Sequence, residues 1–194
     1  TVPNQNIYEI PEKLDVKEAA IAEPTAVSLH AVLMAEDSSK KPLSECRILV
    51  QGAGAIGLLC SLILSKIKSN NNITISDPNN LRLKECSKYI DCKLVNPSDK
   101  EVNTDGFDIV FDTVGLEVSR QQAITVVKPG GCIIHIGLTQ PSGQFNFRKA
   151  TLQEVTFIGT YCYTNNDFKN TIQILANKEI GDLNWVEYRD LKEG

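Results

Sequence analysis

Alternating strand-like and helix-like runs predict an α/β fold, a doubly wound parallel sheet of six strands in the order 3-2-1-4-5-6. Short apolar runs recur between helical patterns from Ile48 to Tyr161, a glycine-punctuated turn follows the first run, and an acid closes the second. Right-handed crossovers on either side of that first turn give the strand order.

The turn reads Gly52-Ala53-Gly54-Ala55-Ile56-Gly57, preceded by Ile48-Leu49-Val50 and followed by an apolar helical pattern. The second run, Ile73-Thr74-Ile75-Ser76, ends at Asp77, twenty residues after Gly57. This is the order of a dinucleotide-binding βαβ unit, the Rossmann arrangement. Gly52 allows the sharp turn off the strand. Gly54 lets backbone N–H groups, with those of Ala55 and Ile56 behind it, approach a pyrophosphate. Gly57 lets the helix lie close to the sheet. The helix N-terminus presents unpaired N–H groups and partial positive charge to phosphates. Asp77 is placed to accept hydrogen bonds from ribose hydroxyls.

The 194 residues suffice for one domain with a substantial core, and a net charge of −4 without a basic stripe argues against nucleic acid. The longest apolar run, 56–64, is too short for a membrane span, and no signal peptide is visible. The first residue is Thr1, so the sequence reads as a piece of a longer protein. Six cysteines without a C-x-x-C pair predict free thiols in a reducing cytoplasm and no structural zinc. His30 and His135 lie far apart and read as packing residues.

In chain order, residues 1–15 are an extended lead-in, and Asp15 caps a helix from about Val16 that Pro24 kinks or restarts. Residues 36–45 form a loop. Residues 79–89 form the second covering helix, and 93–95 the third strand. Between Asn96 and Phe107 there is room only for a loop or a single turn. Residues 107–113 are strand four and 116–127 a helix, stopped by Lys128-Pro129-Gly130-Gly131. Strand five covers 132–137, a loop 139–144, strand six 155–161 and a last helix 166–178. Residues 185–188 form a stray strand, and the chain stops at Gly194 with no closing element. Residues 1–35 are expected to be a connecting segment, 36–180 the cofactor-binding domain, and 181–194 the start of a return to another domain.

Several ordered motifs join the glycine turn. They are Ala19-Ala20-Ile21-Ala22-Glu23-Pro24 with His30-Ala31-Val32, Asp77 with Arg82, Lys128-Pro129-Gly130-Gly131, His135-Ile136-Gly137-Leu138 and Gly159-Thr160-Tyr161. With them the chain resembles the zinc-containing medium-chain alcohol dehydrogenases, in the sorbitol, threonine and polyol branch, from about Pro11 onward. The resemblance implies a two-domain cytoplasmic enzyme moving hydride between NAD and a secondary alcohol, polyol or ketone, with zinc polarising the substrate oxygen. It also implies that the zinc ligands and most of the catalytic domain lie upstream of these residues. Alone, the chain is then expected to bind cofactor, to hold only short flanking pieces of the catalytic domain, and to supply no catalytic residue.

The same resemblance puts Glu23 at the catalytic zinc, as a ligand or bonded to its water. Asp77 favours NAD over NADP, because a carboxylate repels a 2′-phosphate. Arg82 could pair with that phosphate instead, but reads here as a solvated residue or an adenine shelf. Thr113 and Val114, after strand four, border the adenosine side. Gly137, Leu138, Thr160 and Tyr161, after strands five and six, face the nicotinamide. The sixth strand is an open edge, and in the resembling family that edge pairs with its twin, so a homodimer is expected. The competing readings are a zinc-free quinone or enoyl reductase of the same superfamily, an S-adenosylmethionine-dependent methyltransferase, and a non-catalytic NAD-sensing module.

Overall fold

A computed structural model describes residues 3–99, 102, 106–190 and 192. Its six parallel strands are β1 (Ile48–Gln51), β2 (Ile73–Ser76), β3 (Lys93–Val95), β4 (Phe107–Asp112), β5 (Val127–His135) and β6 (Thr156–Gly159). They lie side by side in the order β3-β2-β1-β4-β5-β6, as the alternation and the first turn require. The register runs Ile48 beside Ile73 on one side and Ile109 on the other.

Among the described residues seven α-helices accompany the sheet: α1 (Val16–Ala19), α2 (Ala22–Ser38), α3 (Ala55–Leu62), α4 (Asn80–Cys86), α5 (Glu117–Val126), α6 (Phe147–Leu152) and α7 (Asn165–Ala176). Side chains alternate across the strands. Ile48, Val50, Ile109, Phe111 and Ile134 face the core shared with α2, α3 and α7. Leu49, Val110 and Ile133 face a second core that holds Ala123 and Ile124 of α5. Because both faces are covered, β1 and β2 are buried throughout, Gln51, Thr74 and Ser76 included with the apolar residues.

The helix restart falls before Pro24. Asp15 caps α1 by accepting from Lys17 N–H at 2.7 Å, the chain breaks at Ala20 and Ile21, and Pro24 sits in the first turn of α2. A first-turn residue needs no N–H acceptor within the helix, so proline is tolerated there.

Other boundaries move. The expected loop 36–45 is shorter, because α2 continues to Ser38 and Leu43–Glu45 makes a 3₁₀ turn. The helices expected over 79–89 and 166–178 are α4, which starts after the Asn79 cap, and α7, capped by Thr164. The helix expected over 116–127 is α5, which ends at Val126 ahead of residues 128–131 as expected; those residues also lie inside β5 as a bulge, where the register jumps from Phe107 beside Val127 to Ile109 beside Cys132. Pro129 cannot donate to a ladder, and Gly130 takes φ +69°, so the excursion is cheap there. Strand six is trimmed to Thr156–Gly159, and α6 was not foreseen.

Residues 185–188 form no strand. Trp185 and Val186 pack against the larger core instead. Between β3 and β4 the described residues show a turn at 97–99, as expected, while 100, 101 and 103–105 lie outside the described residues. So does the expectation for the end of the chain at Gly194.

All six cysteines are free thiols; Cys46, Cys60, Cys86 and Cys132 are buried and Cys162 is exposed. Burial pushes the Cys60 thiol up to about 12, and those of Cys86, Cys92 and Cys132 up to about 11. Among the described residues no helix is long and apolar enough to cross a membrane.

Candidate functional site

The switch point of the sheet lies between β1 and β4, where connections leave in opposite directions. The glycine turn emerges there. Gly52 takes φ +97°, and a Cβ on Gly57 would stand 1.9 Å from the Gly52 carbonyl oxygen. Two backbone segments therefore touch, and only glycine fits at 57. A Cβ on Gly54 would meet nothing within 4 Å. Gly54 and Ala55 are exposed and Ile56 is half-buried, so the amide end of α3 opens to the outside. Gly54 offers no side-chain cap, and no acid stands in the first turn. The end keeps free donors and its positive dipole, the makings of an anion site.

Asp77 is 4% exposed and braces this turn. One carboxylate oxygen accepts from Ala53 N–H at 2.8 Å and the other from Asn79 N–H at 2.7 Å. Arg82 reaches within 4.0 Å of the same carboxylate from an exposed position. Across the switch point, the Thr113 hydroxyl donates to the Gln51 carbonyl at 2.6 Å.

Val114 lines a cavity of about 330 Å³ with Gln51, Pro78, Pro97, Leu116 and Val118. That volume lies in the range of small-molecule pockets, roughly 300–1,000 Å³. Pro78, Pro97, Leu116 and Val118, which arrive from separate loops, join Val114 there and were not singled out from the sequence. Gln51 left a legible signal, a polar residue ending the apolar run Ile48-Leu49-Val50 directly before the turn.

The loops after β4 and β5 meet backbone to backbone. A Cβ on Gly115 (φ +73°) would lie 2.0 Å from the Gly137 oxygen, and one on Gly137 would lie 2.2 Å from the Val114 carbonyl carbon. Fully buried Asp112 fixes both loops. Its Oδ1 accepts from Val114 and Gly115 N–H, its Oδ2 pairs with His135 Nδ1 at 3.0 Å, and its carbonyl accepts from Ile136 and Gly137 N–H. His135 thus serves the sheet, as expected. His30 likewise packs, with Nδ1 2.9 Å from Asp167 Oδ2.

Beyond Gly137, Leu138 is 80% exposed, and beyond β6, Tyr161 is 82% exposed. Thr160 N–H donates to the His135 carbonyl, which sets the end of β6 beside that of β5. The sheet thus sets Gly52 to Gly57, Asp77 and Arg82, which follow β1 and β2, on one side of the switch point, and Thr113, Val114, Gly137, Leu138, Thr160 and Tyr161, which follow β4, β5 and β6, on the other.

Glu23 is exposed in the first turn of α2, close enough to Tyr163 that its charge, after burial, helps raise that phenol's pKa. Among the described residues no three His, Cys, Asp or Glu side chains are grouped to hold a metal. The donor set here does not fit a zinc ion.

The family model described as zinc-binding dehydrogenase matches residues 55–177, well over half of the chain. The chain belongs to the zinc-binding dehydrogenase family. It is similar to D-xylulose reductase A of Aspergillus oryzae, at 28% identity over 191 residues, covering 92% of this chain and 52% of that protein. It is similar also to D-xylulose reductase of Saccharomyces cerevisiae, at 26% over 195 residues, with 94% and 53% covered. Among solved structures, L-idonate 5-dehydrogenase of Escherichia coli superimposes with a TM-score of 0.83 at 25% identity, over 93% of this chain and 52% of that one. The chain spans about half the length of the curated relatives it matches. Family membership sets aside the methyltransferase reading.

Proposed function

We propose that this chain is the NAD-binding part of a longer zinc-dependent dehydrogenase that moves hydride between NAD and a secondary alcohol, polyol or ketone. The observation that carries the proposal is the open amide end of α3 at Gly54, bordered by the braced carboxylate of Asp77. The pyrophosphate would lie on Gly54, Ala55 and Ile56, and the adenosine against Asp77, Arg82, Thr113 and Val114. The nicotinamide would lie toward Gly137, Leu138, Thr160 and Tyr161. Two solved structures of the same fold, at 20% identity, hold NADH and NADP.

NAD is preferred over NADP on electrostatic grounds. A unit charge about 4 Å from the Asp77 carboxylate is repelled by roughly 4 kcal/mol at an effective dielectric near 20, and a 2′-phosphate carries nearly two. Arg82 offsets part of this, from a solvent-screened position.

When bound, zinc would polarise the substrate oxygen. Its ligands would come from outside these residues, with Glu23 alone reaching toward it from this chain. Residues 1–35 and 181–194 would run toward that other domain, and 36–180 would carry the cofactor. The substrate would be a polyol or secondary alcohol, as the names of the xylulose reductases suggest, and the compartment the cytoplasm. Neither nucleic acid nor a membrane surface would be a partner. The open edge of β6, where Phe157 is part-exposed, would pair with a second copy to make a homodimer.

Hydrogen exchange with and without NAD⁺ tests the site. Protection should appear at the amides of Gly54 to Gly57 and in the loop after β4. Protection confined to other segments would refute the placement. Zinc analysis of the longer protein separates this reading from a zinc-free reductase.

A further inference from the structure

A second cavity, of about 410 Å³, lies among the end of β5, β6, α5 and α6. It shares no wall residue with the one beside Gly52. Three phenylalanine rings line it. Phe145 stands edge-on to Phe147 and Phe157, with centroids 5.1 and 5.3 Å apart, so the aromatic wall is in place without a ligand. Phe147 and Phe157 both leave large apolar surface uncovered.

The polar groups of the wall are mostly occupied. Arg120 is 9% exposed, but its Nη1 donates to the Gly115 and Gln140 carbonyls at 2.9 and 3.2 Å, and its Nη2 to the Ser142 carbonyl at 2.6 Å. It thereby holds residues 140–143 in place as the lip of the cavity. Gln140 Oε1 accepts from Glu117 N–H at 2.7 Å. His135 differs. Its Nδ1 is 3.0 Å from Asp112 Oδ2, and a carboxylate there sets the hydrogen of the neutral ring on Nδ1. Nε2 is then a bare lone pair, an acceptor only. Among the described residues it has no hydrogen-bond partner, and it is not one of the unpartnered atoms closed off from solvent. The Phe157 ring lies against the same imidazole, with centroids 5.5 Å apart.

We infer that this cavity is a binding site for a small phenol, its ring set among Phe145, Phe147 and Phe157 and its hydroxyl donating to His135 Nε2. An aliphatic polyol would leave the rings without a partner surface. An aromatic carboxylate would bring an acceptor to an acceptor. A phenol supplies both a flat apolar face and one donor, and mostly aromatic walls with a few placed polar groups are the usual make-up of small-molecule sites. The inference does not depend on the cofactor reading.

2-Naphthol and its methyl ether, 2-methoxynaphthalene, test it, because only the first carries the donor. The chain has two histidines, so two-bond proton–nitrogen spectra resolve each ring. 2-Naphthol should move the His135 Nε2 resonance upfield until saturation and leave His30, whose Nδ1 is paired with Asp167, in place. In fluorescence titrations the ether should bind roughly tenfold more weakly, the worth of one hydrogen bond. In His135→Leu, which also assigns the resonance, the two affinities should fall within about twofold of each other. Should that variant not fold, the wild-type spectra decide alone. An Nε2 resonance that stays in place at saturation, an ether bound as tightly as the naphthol, a preference that survives His135→Leu, or no binding of either compound would overturn the inference and leave the cofactor reading standing.

Discussion

The backbone N–H of Ala53 donates to the Asp77 carboxylate at 2.8 Å, tying the turn after β1 to the end of β2. The acid that speaks for the ribose is therefore also a brace. Asp77→Ala would leave two buried or half-buried N–H groups without acceptors, at about 1–3 kcal/mol for an unsatisfied group. We expect it to lower both the denaturant midpoint and NAD⁺ affinity. A loss of affinity with unchanged stability would contradict the bracing role.

The glycines separate fold from binding. Gly57→Ala drives a methyl into the Gly52 carbonyl and should cost about 1–3 kcal/mol or more in urea unfolding. Gly54→Ala places its methyl in open space at an ordinary backbone angle, so stability should hold within about 0.5 kcal/mol. If phosphates lie there, Gly54→Ala should still weaken NAD⁺ tenfold or more. Unchanged affinity would remove the pyrophosphate from this place.

Stability should fall in acid through two carboxylates. Burial alone would raise the pKa of Asp167, but the Thr164 N–H and hydroxyl and the His30 ring hold it below the usual range. Asp108 is held low in the same way, against burial, by the Arg47 N–H and the Lys41 and Lys128 ammonium groups. A depressed carboxylate contributes fully above its unfolded pKa, about 3.9, and the contribution is lost as pH falls through the folded value. The urea midpoint should therefore decline below about pH 4. Asp167→Asn should flatten the decline; an unchanged slope would contradict this.

The edge of β6 predicts self-association. Phe157→Lys puts a charge on the open strand and gives up ring contacts with Phe145 and His135, so it should lower stability somewhat and yield folded monomers in sedimentation. Dimers that persist would move the interface elsewhere.

The sequence was most legible where one segment carries its own physics. The turn from Gly52 to Gly57, the acid at 77 and the strand order follow from spacing and period, and the fold has them. It was least legible where distant segments meet. Pro129 and Gly130 mark the end of α5 in the sequence, but that the same residues bulge inside β5 shows only in the pairing with β4. The Gly115–Gly137 contact joins two loops, and nothing local in either names the other. Pro78 and Pro97 reach the cavity from different connections for the same reason. Trp185 and Val186 alternate like a strand, yet their apolar surface is used against the core instead.

Side-by-side calorimetric titration of the chain with NAD⁺, NADP⁺ and S-adenosylmethionine tests the cofactor site most directly. NAD⁺ should bind at least tenfold more tightly than NADP⁺, a margin of about 1.4 kcal/mol, with no heat from S-adenosylmethionine. Binding of S-adenosylmethionine alone, or of NADP⁺ ahead of NAD⁺, would contradict the account.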